Sequence, residues 1–235
     1  MELLVLSVER NLILSLLKLT QKSSVLAKQV KNDAKLPSET MYVLLEKLQS
    51  EDLLNLNSEV VEVSVNDRLK LAVKAVSLGA DIQQISDLLC WQEFEEITAM
   101  ALHNNGFVVY KNVRFKNSDR KWEIDAIGCK QPLVVCIDCK HWGRSISPSV
   151  ISKIAIAQAN RTKALSETLP NPKLQLECTK WKNIQFIPAI LSLIPSSLKF
   201  YDNIPLVPIL QLQDFLNQLP AYMYQLKSFP KTLTP

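Results

Sequence analysis

Eight consecutive residues, Leu133–Lys140, constrain this chain more than any other stretch. They are apolar except for Asp138 and Lys140. Side chains alternate along a strand, so these two charged residues face one way, and Leu133, Val135, Ile137 and Cys139 form the opposite, apolar face. A second strand-like run, Trp122–Ile127, carries Asp125. Between the two, Gly128-Cys129-Lys130-Gln131-Pro132 has the glycine and proline of a hairpin connection. Two acids and a lysine in otherwise apolar strands are costly to bury unpaired. A divalent metal held by both carboxylates would offset that cost. So would a salt bridge from Lys140, and at this level both readings stand.

A third acid precedes them. Trp91–Asn104 reads as a helix, with Phe94, Ile97, Ala101 and Leu102 at helical spacing and Gly106 as its C-terminal cap. Glu95 lies on it, near the Phe94/Ala101 side. Phe107–Tyr110 reads as a short strand. The order is helix with Glu95, strand, strand with Asp125, strand with Asp138-x-Lys140, helix.

With these residues, that order resembles the PD-(D/E)xK nuclease superfamily, and within it the Mrr-like restriction endonucleases and archaeal Holliday-junction resolvases. The matching pieces are Phe94-Glu95 ahead of Gly106-Phe107, then Glu123-Ile124-Asp125, then Ile137-Asp138-Cys139-Lys140-His141-Trp142. A helix over 147–167, a strand near Ile184–Ile190, the run Ile204–Leu210 and a closing helix from Leu212 continue the likeness, which covers about residues 90–220. The resemblance implies a mixed central sheet flanked by helices and a metal-dependent DNA endonuclease using Mg2+, with Mn2+ as a substitute. It implies Asp125, Asp138 and the backbone carbonyl of Cys139 as metal ligands, and Glu95 as a ligand directly or through water. Lys140 would orient or activate the attacking water. Gln158 sits on a stripe with Ile151, Ile154, Arg161 and Leu165, and some superfamily members carry a glutamine on this helix beside the metal. A buried structural glutamine is the alternative. His141 and Trp142 follow the lysine and could touch substrate. The chain departs from the family where many members have glycines, having Asp119-Arg120-Lys121-Trp122 instead. Asp138 is an accepted variant at a position that is Gln or Glu in other members.

A chain of 235 residues that is 47% hydrophobic has interior enough for one large domain or two small ones. Glu2 and Glu9 among the first apolar residues argue against a signal peptide. The most apolar stretch, Phe186–Leu198, is broken by Pro188 and Pro195, so a soluble cytoplasmic protein is expected. Cys136 and Cys139 form a C-x-x-C pair. Residues three apart in a strand point to opposite faces, which favours reduced core cysteines over zinc ligands.

Charge divides unevenly. Residues 1–90 carry a net charge of −2, and residues 91–170 and 171–235 carry +3 each. Lys111, Arg114, Lys116, Arg120 and Lys121 cluster between the first two strands. They read either as phosphate contacts or as a solvated hairpin.

The N-terminal third has its own pattern. Helices are expected at Ser7–Leu19 (Leu12, Leu16 and Leu19 on one face), Ser24–Lys31, and from Ser38 to Ser50 (stripe Met41, Leu44, Leu45, Leu48). A two-stranded wing is expected within Leu53–Val65, and two further helices at Asn66–Leu78 and Asp81–Leu89. This resembles a winged helix-turn-helix domain, which Mrr-like nucleases commonly join to the catalytic domain in this order. Its third helix carries Glu39 and Glu46 with only Lys47 as a cation, and it lacks the arginines that read guanine. Tyr42 and Lys47 are its candidate DNA contacts. A dimerisation or protein-partner role is the alternative.

The expectation is therefore an α/β chain, residues 1–88 a winged helix and 90–235 a restriction-endonuclease-like domain. It would act on DNA, alone or as a homodimer, and contact no membrane. Its rivals are a non-catalytic DNA-binding protein on the same scaffold and an RNA-processing nuclease.

Overall fold

The computed structural model describes residues 2–140, 146–192 and 195–233. Contacts divide the chain into two compact units, Met1–Glu93 and Phe94–Pro235.

The first unit runs α1 (Glu2–Leu19), β1 (Val25–Leu26), α2 (Ala27–Ala34), α3 (Ser38–Ser50), β2 (Asn55–Asn57), β3 (Val60–Glu62), α4 (Val65–Ser77) and α5 (Ile82–Leu88). The expected stripe of α3 is its buried face, joined by Leu12, Ile13, Leu16 and Leu17 of α1 and by Val30. Sequence periodicity placed a helix over 24–31, but its start is extended. Val25 and Leu26 pair antiparallel with Val61 and Val60, making a small sheet in the order β1-β3-β2. This long-range pairing overrides local propensity. Ser64 caps α4, accepting from the Asp67 amide at 3.2 Å.

A buried ionic knot ties this unit together. Arg68 of α4 is only 3% exposed. It donates to the Leu17 carbonyl at 2.7 Å, the Thr20 hydroxyl and the Leu88 carbonyl at 2.8 Å, and it pairs with Glu93. Every arm of the guanidinium is thus engaged, as burial of a charge requires.

The unit boundary falls inside α6 (Trp91–Asn104), whose limits match the sequence expectation. Beyond it come β4 (Val108–Asn117), β5 (Arg120–Lys130), β6 (Leu133–Lys140), α7 (Pro148–Thr168), β7 (Asn183–Ser192), β8 (Phe200–Tyr201), β9 (Ile204–Pro208), α8 (Leu212–Tyr222) and β10 (Phe229–Thr232). Among the described residues these strands form a seven-stranded mixed sheet in the order β4-β5-β6-β7-β9-β8. β4, β5 and β6 run antiparallel, while β6, β7 and β9 run parallel. β10 pairs with the first half of β7.

The hairpin between β4 and β5 is longer than the sequence suggests. Lys111, Arg114 and Lys116 break the apolar signal after Tyr110, yet pairing continues to Asn117↔Arg120. Ser118 and Asp119 form the two-residue turn, with φ of 45° and 62°, as a type I′ hairpin requires. The connection between β5 and β6 is shorter than expected. Lys130 pairs with Leu133, so only Gln131 and Pro132 lie outside the strands.

Helices cover both faces of the sheet. Ala164 and Leu165 of α7 pack on Ile127, Cys129, Val134 and Cys136. On the other face, α6 approaches Gly128 so closely that a Cβ there would lie 2.7 Å from Leu102 Cδ2. α8 is tied to the end of α6 by reciprocal amide bonds of 3.1 Å between Asn105 and Gln213. No helix of the described residues is long and apolar enough to cross a membrane.

Candidate active site

The sheet register builds the site. Ala126 pairs with Ile137, so one step further Asp125 stands opposite Asp138. Cross-strand neighbours share a face, which sets the two carboxylates side by side. The ladder ends there. In its place the Asp125 carboxylate accepts a 2.7 Å hydrogen bond from the backbone N–H of Cys139. On the other flank, Asn112 is skipped in the pairing and adopts φ 52°. A left-handed asparagine is locally strained, so the backbone is distorted on the strand beside Asp125.

Asp138 is 4% exposed and carries two cations. Lys140 Nζ lies 3.0 Å from Oδ1 and 2.9 Å from Oδ2, and Arg161 Nη1 lies 3.0 Å from Oδ1. Gln158 is fully buried, its Nε2 donating to the Cys136 carbonyl at 2.7 Å. Its Oε1 accepts from Arg161 at 3.4 Å. The glutamine is thus both structural and one step from the carboxylate.

Electrostatics join Glu95 to this group. Burial pushes the Asp125 carboxyl up to about 6; the Cys139 N–H and Lys140 oppose the rise, and the charges of Asp138 and Glu95 add to it. Burial pushes the Cys139 thiol up to about 12, against a hydrogen bond with Thr98, and the charges of Asp125, Asp138 and Glu95 add to the rise. One turn after Glu95, Thr98 Oγ1 lies 3.5 Å from Cys139 Sγ, which fixes α6 against the end of β6. All five cysteines are free. Cys136 packs toward α7 and Cys139 toward α6, as opposite strand faces require.

Among the described residues, no three His, Cys, Asp or Glu side chains stand arranged as a ready metal cage. The donor chemistry nevertheless fits a hard divalent ion. The available groups are carboxylate and carbonyl oxygens. A cation would also relieve the carboxyl that burial and like charge hold near 6.

The basic cluster lies along the exposed β4–β5 hairpin and is partly paired. Lys111 meets Glu96 at 2.5 Å, Arg114 meets Glu123 at 3.1 Å, and Lys116 meets Asp119 at 2.7 Å. Arg120 stacks 3.9 Å above the Trp122 ring, and Lys121 stands opposite Lys116. In the first unit, Tyr42 donates to the Glu59 carboxylate at 2.8 Å, and Lys47 meets the buried Glu9 at 2.8 Å. His141 and Trp142 lie outside the described residues. The site residue that sequence reasoning passed over is Arg161. Its signal was present: a cation three residues after Gln158, on the stripe that faces the sheet.

Residues 91–189 match the family described as the nuclease-related domain, NERD. The mixed sheet with its flanking helices is consistent with a nuclease-like fold. An uncharacterized protein of Archaeoglobus fulgidus is 26% identical over 136 residues, which is 57% of this chain and 94% of that protein. Among solved structures, the protein of unknown function AF1548 matches 42% of this chain at 16% identity and a TM-score of 0.29. Protein VC1899 from Vibrio cholerae matches 94% at 13% identity and a TM-score of 0.37. The matches span 46% and 52% of those two structures, about half of each.

Proposed function

We propose that the second unit is a metal-dependent DNA endonuclease of the Mrr-like kind. The observation that carries this reading is that Asp125 and Asp138 lie next to one another just past the last paired residues of β5 and β6, the charge of Asp138 raising the Asp125 carboxyl, with Lys140 on Asp138. In this reading Asp125, Asp138 and Glu95 hold Mg2+ or Mn2+. The Cys139 carbonyl joins them, because a strand residue directs its N–H and C=O to the same neighbour and the Cys139 N–H already faces Asp125. The bound ion would supply charge neutralisation for the phosphodiester and a more acidic water.

The chain's own groups do the rest. Lys140 leaves Asp138 to orient the attacking water and to meet charge that develops on the phosphate. Gln158 anchors β6 through the Cys136 carbonyl, keeping the strand end in place. Lys111, Arg114, Lys116, Arg120 and Lys121 line a hairpin suited to the DNA backbone. The first unit has the element order helix, strand, helix, helix, hairpin, which supports the winged-helix reading over residues 1–88. Its DNA contacts, Tyr42 and Lys47, must exchange Glu59 and Glu9 for phosphate, so a protein partner or a second copy remains its alternative occupant.

One observation favours a second reading. Asp138 is ion-paired with two cations, as in a nucleic-acid-binding scaffold without activity. The experiment is cleavage of plasmid, junction and single-stranded DNA, and of structured RNA, with Mg2+ or Mn2+ and then with chelator. Cleavage that chelator stops, and that Asp125→Asn and Lys140→Ala each reduce by about 100-fold or more, supports the enzyme. Metal-independent binding without cleavage supports the scaffold, and cleavage confined to RNA moves the substrate class.

A further inference from the structure

We propose that Arg161 is a built-in stand-in for the divalent ion: its guanidinium holds Asp138 and must leave when metal binds. This rests on the metal centre proposed above and adds a regulating residue to it.

The geometry is a chain of bonds from backbone to carboxylate. The Cys136 carbonyl receives Gln158 Nε2 at 2.7 Å, Gln158 Oε1 receives Arg161 at 3.4 Å, and Arg161 Nη1 reaches Asp138 Oδ1 at 3.0 Å. Gln158 and Arg161 are nearly one helical turn apart, so a single face of α7 delivers both. Arg161 thus comes from a different element than the other cation on Asp138, and it is aimed there by a residue that is itself fully buried.

Charge balance gives this contact its meaning. Glu95, Asp125 and Asp138 bring three negative charges, and Lys140 and Arg161 answer two of them. A divalent ion with Lys140 answers all three and leaves Arg161 in excess. Its side chain is 28% exposed against 5% for Asp138, so the guanidinium has water to swing into while the carboxylate does not. A cation held 3.0 Å from one ligand oxygen also competes directly with an incoming ion for that oxygen.

The test is Mn2+ binding to the full chain, read by electron paramagnetic resonance of the free ion, with metal-free thermal melting alongside. Arg161→Gln is expected to bind Mn2+ about tenfold more tightly than the native chain, and to melt lower without metal. Arg161→Lys, which keeps the charge, is expected to stay near native affinity. Tight binding by Arg161→Gln when the native chain binds no Mn2+ also supports the proposal. If Arg161→Gln binds Mn2+ no better than native while Asp125→Asn abolishes binding, the stand-in role is overturned and the metal centre survives. If neither native nor Arg161→Gln binds Mn2+, the metal centre falls and this inference with it. Should Arg161→Gln fail to fold, the Arg161 Nε–H resonance of the 15N-arginine-labelled native chain carries the test. Saturating Mg2+ is expected to shift it, and an unmoved resonance overturns the proposal.

Discussion

Asp125 is the residue at which folding and the proposed metal binding oppose each other. Its carboxyl is raised from 3.8 to about 6, burial being the largest cause. The sign follows from proton counting. Between those two values the folded chain holds a proton that the unfolded chain has released, so the metal-free protein loses stability as pH rises through this window. The full effect of such a shift is about 3 kcal/mol, and partial solvation of Asp125 cuts it to roughly 1 kcal/mol. Asp125→Asn is therefore expected to melt higher than native at pH 8 in chelator and to lose Mn2+ binding. A lower melting point there contradicts the assigned burial cost. Native Mn2+ affinity is expected to fall steeply below about pH 6, where proton and metal compete for one carboxylate, and calorimetry across pH 5–8 checks it. Most of this site is legible in sequence, because strand alternation puts Asp138 and Lys140 on one side and the neighbouring run supplies Asp125. The partners of Tyr42 and Lys47 are not, because Glu59 and Glu9 reach them only through the fold. Arg161 is legible only as a cation on the Gln158 stripe, since its contact with Asp138 depends on how α7 lies over β6.

At the level of elements, helix and strand periodicity reveals what is buried on one side and misses what is held by pairing. α6, β6 and α7 are legible because each has an apolar stripe or run. β1, the outer part of β4, and β10 are not, because their residues alternate with charge or are too few to carry a pattern. The contact that positions Glu95 is of the hidden kind. α6 lies on β5 only because Gly128 lacks a side chain; an added Cβ would meet Leu102 Cδ2 at 2.7 Å and Phe107 Cδ1 at 3.1 Å. Both neighbours are buried, so neither yields freely. Gly128→Ala is expected to destabilise by about 1–3 kcal/mol. It should also weaken Mn2+ binding, because moving α6 off the sheet carries Glu95 away from Asp125. Adding Leu102→Ala opens room for the new methyl, so the double variant is expected to be more stable than the two single losses added together. Strict additivity in denaturant melts would show that this contact does not set the helix position.

Across the whole molecule, the sequence separates an acidic first third from a basic remainder. A boundary near residue 89 follows from the break between two helical patterns. The contacts group residues through Glu93 with the first unit. The reason is Arg68, which sequence cannot mark as buried. Its charge is answered by Glu93, which in turn accepts from the Cys90 N–H at 2.7 Å. A fragment of residues 1–88 therefore removes the acid and leaves a guanidinium inside an apolar unit. Losing one partner of a buried ion pair costs about 3–5 kcal/mol, a large part of what a unit of this size has to spare. Residues 1–96 are expected to fold cooperatively, since α1, α3 and β3 already supply their own core. Residues 1–88 should melt far lower or not fold, and Glu93→Gln in the full chain should reproduce part of that loss. Circular dichroism melts of the two fragments side by side make the comparison. Equal melting points would mean that Arg68 finds water once Glu93 is gone, and that the first unit ends where the sequence pattern ends.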